Sequence, residues 1–180
     1  MFKRIASTLA LCALAGVCTP DDAQAGIFDR GSDSAVPTAP GFTGIDHWIN
    51  SKPLDMAGLR GKVVLVEFWT YSCINCIHTM PYVKQWYRRY RDQGLVVVGV
   101  HTPEYGYERI PDNVQAAVKR FGIEYPVALD NGYRTWNAYG NRYWPALYLV
   151  DKGGHVVYRH FGEGDYGQTE ARIRQLLKSR

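Results

Sequence analysis

The chain has 180 residues, 46% hydrophobic and 21% charged, with a formal net charge of +4. That is enough apolar material for one packed domain. The positive charge is spread thinly, with no basic tract or aromatic-interleaved basic stripe, which excludes a nucleic-acid-binding surface.

At the N-terminus, Lys3 and Arg4 precede a mainly apolar run from Ile5 to Val17, too short to span a bilayer and suited to the core of a secretory leader. Ala23-Gln24-Ala25 is a small-x-small cleavage site, so residues 1–25 are expected to be a signal peptide and the mature chain to begin at Gly26. The protein is then expected in the periplasm, soluble, or anchored if the leader is retained. Cys12 and Cys18 leave with the leader, and only Cys73 and Cys76 remain. A single close pair rules out a disulfide-stapled mini-protein.

Residues 26–44 are rich in Gly, Ser, Pro and Ala and read as a flexible tether. A domain is expected over 45–180, opening with a short strand or turn in "WINSKPLDMAGLRGK". "VVLVEFW" (63–69) is nearly continuous apolar sequence, the pattern of a strand buried on both faces. Helical periodicity starts at Cys73 and predicts a buried stripe of Cys73, Ile77, Met80, Val83, Tyr87 and Tyr90, with Lys84, Arg88 and Arg91 on a solvated face. Gly94 ends that helix and "LVVVGV" (95–100) is a second buried strand, which makes a parallel βαβ unit. A helix over 112–121, a short strand in "YPVALD" and a brief helix over 133–139 come next. A hairpin of "ALYLVD" and "HVVYRHF" around a glycine turn and an amphipathic helix over 168–178 close the chain. The order predicts an α/β fold, a central mixed sheet with helices on both faces.

The chemistry lies in "FWTYSCINCIHTMP" (68–81). Its two cysteines, two residues apart, suit an exchanging disulfide, a metal clamp or a structural staple. Cys73 falls at a helix N-terminus, where unpaired N–H groups and the helix dipole stabilise a thiolate. Cys76, one turn on, is placed to attack a mixed disulfide on Cys73. Ile77 follows Cys76 where haem attachment needs a histidine, so covalent haem is excluded.

Beyond the cysteine spacing, "VVLVEFWTYSCINC" resembles the strand and active-site loop of the thioredoxin-like superfamily. Glu67 stands six residues before the first cysteine and Trp69 four before it, and Pro81 lies five after the second. "YWPALYLVD" resembles the family's cis-proline loop and following strand. "LRGKVVLVEFW" and "GVHTPEY" are similar to the TlpA/DipZ-like branch of exported thioredoxins. The resemblance covers about 45–178 and implies a thioredoxin fold with an extra helix and an N-terminal strand or turn extension. It also implies a thiol–disulfide oxidoreductase whose redox group is the Cys73–Cys76 pair, with no separate cofactor and no metal. Glu67 would accept the proton of Cys76, and Trp144, cis-Pro145, Trp69, Tyr71 and His101 would meet the substrate. His101, Thr102 and Glu104 sit after the second strand, at the carboxyl rim where parallel sheets carry their sites; the plainer expectation for them is structural. His78 reads as an exposed helix residue.

Two features depart from the family. Ser72 replaces the usual tryptophan before the first cysteine, and Ile74-Asn75 separate the cysteines. Neither Ile nor Asn supplies a cation to the thiolate, which favours a reductant. The expected substrates are disulfides of exported proteins, the expected donor a CcdA-type membrane conduit, and the expected state a monomer. An oxidase or isomerase using the same residues is the alternative. A Cu(I)-handling protein is a further one, though related copper carriers space their cysteines by three residues.

Overall fold

The computed structural model describes residues 36–179. The expected leader and most of the expected tether lie outside the described residues.

Six strands form one mixed sheet in the order β1-β4-β3-β2-β5-β6: β1 His47–Ile49, β2 Val63–Trp69, β3 Leu95–His101, β4 Val127–Leu129, β5 Ala146–Val150 and β6 Val156–Phe161. Strands β2, β3 and β4 run parallel, while β5 and β6 form the antiparallel hairpin and β1 adds antiparallel to β4. Four helices cover the sheet: α1 Ile74–Tyr90, α2 Pro111–Phe121, α3 Arg134–Ala138 and α4 Tyr166–Lys178. This is a thioredoxin-like fold. Among the described residues no helix is long and apolar enough to cross a membrane.

The central strand β2 is buried along its whole length, as its unbroken apolar run requires. Its alternate side chains feed two cores. Val63, Leu65 and Trp69 pack with Met80, Val83 and Trp86 of α1, Val114 and Val118 of α2, and Ile173 of α4. Val64, Val66 and Phe68 pack on the opposite face with Trp136, Tyr139 and Tyr148. The Phe68 ring meets all three of those aromatics edgewise, at 5.4–5.6 Å between centroids, the arrangement ring quadrupoles favour.

Three expectations are corrected. The buried stripe of α1 is Cys76, Thr79, Met80, Val83, Trp86 and Tyr90. Cys73 lies outside the helix, so the phase shifts and Ile77 and Tyr87 move to the edge. Of the basic residues expected to be solvated, Arg88 and Arg91 are exposed, but Lys84 is half-buried and donates to the Phe121 carbonyl at 2.5 Å, while exposed Arg88 also meets Glu124 at 3.1 Å, tying α1 to the end of α2 and the turn beyond it. The end of the expected tether is docked. Ala39 N–H donates to the Gly154 carbonyl and Val156 N–H to that of Pro37, both at 2.9 Å, while Thr43 and Thr135 exchange two hydrogen bonds. Composition misled here because partners distant in sequence, in the β5–β6 hairpin and α3, satisfy this backbone.

Candidate active site

Strand β2 ends at Trp69, and a four-residue loop carries the chain to α1. Cys73 is extended (φ −73°, ψ 115°) and caps the helix, its Sγ accepting the N–H of Cys76 at 3.3 Å. Sulfur here does what a Ser or Asp oxygen does at most helix starts. The cap and the dipole both favour negative charge on Sγ. The Cys73 thiol is brought down to about 7, chiefly by the hydrogen bond from Cys76, with partial burial opposing. Cys76 is fully buried, and burial pushes its thiol well up. Both cysteines are free thiols in this structure. A half-exposed, acidic thiol outside and a protonated one inside form an asymmetric pair, the arrangement that lets one thiol attack a disulfide and the other resolve it.

Glu67 sits mid-strand with 1% exposure, on the α1 face of the sheet. It accepts a hydrogen bond from the Tyr125 hydroxyl at 3.0 Å. Burial raises its carboxyl to about 7, with the Tyr125 bond opposing and the negative charge on Cys73 adding to the rise. Glu67 in turn raises Cys76. A carboxyl that changes charge near neutrality beside a buried, protonated thiol is able to exchange a proton with it.

The residues expected to meet substrate divide into two groups. Tyr71 and Trp144 are half-exposed, and Pro145 is buried behind a cis Trp144–Pro145 peptide. The β2–β5 register, Phe68 opposite Ala146, brings Trp144 and Pro145 alongside the active-site loop. The Trp144 indole N–H donates to the Thr102 carbonyl at 3.0 Å. Trp69 and His101 have no exposed surface and cannot touch a substrate in this conformation. They lie beneath the loop instead: the Tyr71 ring stacks on His101 at 5.6 Å, and Trp69 meets His101 edgewise at 5.2 Å. Burial lowers the His101 imidazole to about 4, so it is neutral at physiological pH. Thr102 is buried too, and only Glu104 of that group reaches the surface. His78 is exposed and meets Glu163 at 3.1 Å.

Sequence reasoning missed Glu108. It lies on a 3-10 turn (Gly106–Arg109), is fully buried, and accepts from Ser72 Oγ at 2.5 Å and from the N–H groups of Glu104 and Tyr105. These bonds hold its carboxyl below the ordinary range against the opposing effect of burial. Glu108 thus anchors Ser72, the residue before Cys73. Tyr107, on the same turn, donates to Ser72 Oγ at 3.3 Å and stacks on Tyr105, with both rings about half exposed. Tyr125 was missed as well. Neither partnership has a signal in the sequence, since each joins residues 36 or 58 positions apart.

The Redoxin family matches residues 36–177. Protein DipZ of Mycobacterium bovis is 51% identical over 172 residues, 91% of this chain and 24% of that protein, so the chain spans about a quarter of its length. Thiol-disulfide oxidoreductase ResA of Bacillus thuringiensis is 30% identical over 138 residues, 77% of this chain and 76% of the relative. The crystal structure of a thiol-disulfide isomerase from Corynebacterium glutamicum superposes with a TM-score of 0.73 at 26% identity, over 82% of this chain and 99% of that one.

Proposed function

This chain belongs to the Redoxin family and is a thiol–disulfide oxidoreductase of the thioredoxin type, and on that premise we propose that it reduces disulfides of exported proteins outside the cytoplasm. The observation that carries the reading is the asymmetry of the pair: Cys73 half-exposed, capping α1 and acidic, and Cys76 buried and held protonated. The Cys73 thiolate attacks one sulfur of a substrate disulfide, breaking the S–S bond and releasing one substrate thiolate. Cys76 then loses its proton to Glu67 as its sulfur attacks Cys73 Sγ, and the second substrate thiolate leaves. Two electrons pass to the substrate and the enzyme ends as the Cys73–Cys76 disulfide.

The direction rests on Ile74-Asn75, which place no cation beside the thiolate, and the location on the leader-like residues 1–25. A reductant in an oxidising compartment has to be recharged, and a CcdA-type membrane thiol carrier is the proposed donor. Trp144 and the tyrosines 71, 105 and 107 border the nucleophile and suit an extended polypeptide client.

The test is the reduction potential of the pair, measured in glutathione and dithiothreitol buffers. A value near thioredoxin's, about −270 mV, supports a reductant, and one near −120 mV reverses the flow and makes the protein a disulfide donor. Cys73→Ser is expected to abolish turnover and Cys76→Ser to trap mixed disulfides. Normal insulin reduction by Cys76→Ser would sink the dithiol mechanism.

A further inference from the structure

Opposite Glu67 in the β2–β3 register stands Gly99. A Cβ at that position would lie 2.9 Å from Trp69 Nε1 and 3.0 Å from the Tyr125 ring, so β3 offers no side chain to the carboxyl. The Tyr125 ring takes that space, entering from the segment that leads into β4, with its hydroxyl 3.0 Å from Glu67 Oε2. The segment is pinned by Asn50, whose amide donates to the carbonyls of Ile123 at 2.9 Å and Tyr125 at 3.1 Å. The Tyr87 ring of α1 meets Tyr125 edgewise at 5.8 Å. Tyr125 is fully buried, and burial beside Glu67 lifts its hydroxyl well above the ordinary value, so it remains a donor at working pH.

We propose that Tyr125, admitted by Gly99, is the positioning residue that keeps Glu67 able to take the proton of Cys76 near neutral pH. The inference rests on the dithiol reading above. A hydrogen bond to a carboxylate favours its charged form, and a buried charged form that loses such a bond is costly. The other titratable groups acting with Glu67 are Cys73 at the start of α1 and Cys76 within it, while His101 ends β3 two residues beyond Gly99. An anionic Cys73 raises Glu67 further, and His101 is uncharged near neutrality. The Tyr125 bond is therefore the neighbouring interaction that lowers Glu67.

The test separates the two sulfur steps. A symmetric aryl disulfide releases one chromophoric thiolate when Cys73 attacks and a second when Cys76 resolves the mixed disulfide. In Tyr125→Phe the first phase should keep its pH midpoint. The midpoint of the second should move alkaline by about one pH unit, a roughly fivefold slower resolution at pH 7 that is regained near pH 9. Glu67→Gln should remove that midpoint, and the double variant should behave as Glu67→Gln alone. A Tyr125→Phe profile that superposes on the native one overturns the inference, as does equal slowing of both phases at every pH, the mark of a merely structural role. Native protein that releases no second thiolate overturns the dithiol reading itself, and this inference with it. Should Tyr125→Phe fail to fold, infrared titration of the native protein decides. The carboxyl band lost in Glu67→Gln should report a hydrogen-bonded acid titrating near pH 7, and a free acid band or an ordinary carboxyl midpoint overturns the proposal.

Discussion

Cys73 and Glu67 have both moved toward neutrality, from opposite sides. The Cys73 thiol falls because Cys76 and the first-turn N–H groups bond its sulfur, and the Glu67 carboxyl rises because no water reaches it. Alkylation of the reduced chain should accordingly rise with a midpoint near pH 7, with Cys76 unreactive; a midpoint near pH 9 would mean the cap does not act on the sulfur. Glu67 also makes stability depend on pH. Its folded form holds a proton between pH 4.5 and about 7, where the unfolded form has lost it, so the folded state binds more protons and stability falls as pH rises through that window. The loss amounts to about 3 kcal/mol. Denaturant titrations at pH 5 and pH 8 should show it in the native protein, and Glu67→Gln should flatten it.

Helix α1 illustrates how one residue sets an element's phase. Cys73 is chemically apolar enough to read as part of the stripe, yet its extended backbone makes it the cap, and the stripe starts at Cys76. Strand β3 shows the reverse case, where an apparently weak strand residue is needed. Gly99 lies within an otherwise β-branched run, and the space it leaves is filled by Trp69 and Tyr125. Gly99→Ala should destabilise the fold by about 1–3 kcal/mol, the range for forcing an extra methyl into a packed core, as read from the urea midpoint. The segment before β1 is an element in its own right. A chain starting at Gly41 loses the Ala39–Gly154 and Val156–Pro37 backbone bonds and the burial of Ala39. Relative to one starting at Val36 it should be less stable by about 2 kcal/mol, given about 1 kcal/mol net per hydrogen bond.

One sheet separates two cores but also joins them, because β2 supplies alternate residues to each. Unfolding should then be a single transition. Trp69 and Trp86 report one face and Trp136 the other, so tryptophan fluorescence and far-UV circular dichroism should give one midpoint in urea. Two midpoints would show that the faces unfold separately. The surface ion pairs between Arg88, Arg91 and Glu124 lie at half-exposed positions. Such pairs contribute little, and the melting point should hardly respond to added salt through them.

The local pattern was enough for the elements and for the acidic cysteine. "VVLVEFW" is too continuously apolar to be anything but a central strand, the period change after Trp69 marks a helix, and a cysteine at that junction is acidified by groups within three residues of it. Cys73, Cys76 and Glu67 could therefore be named from spacing and resemblance. The depth of His101 and Trp69 beneath the loop, the Glu108 anchor on Ser72 and the Tyr125 hydroxyl on Glu67 could not. Each depends on which chain segment covers the carboxyl ends of β2 and β3. That is decided by packing between residues far apart in sequence, where side-chain volume and hydrogen-bond geometry, rather than any periodic signal, choose the partner.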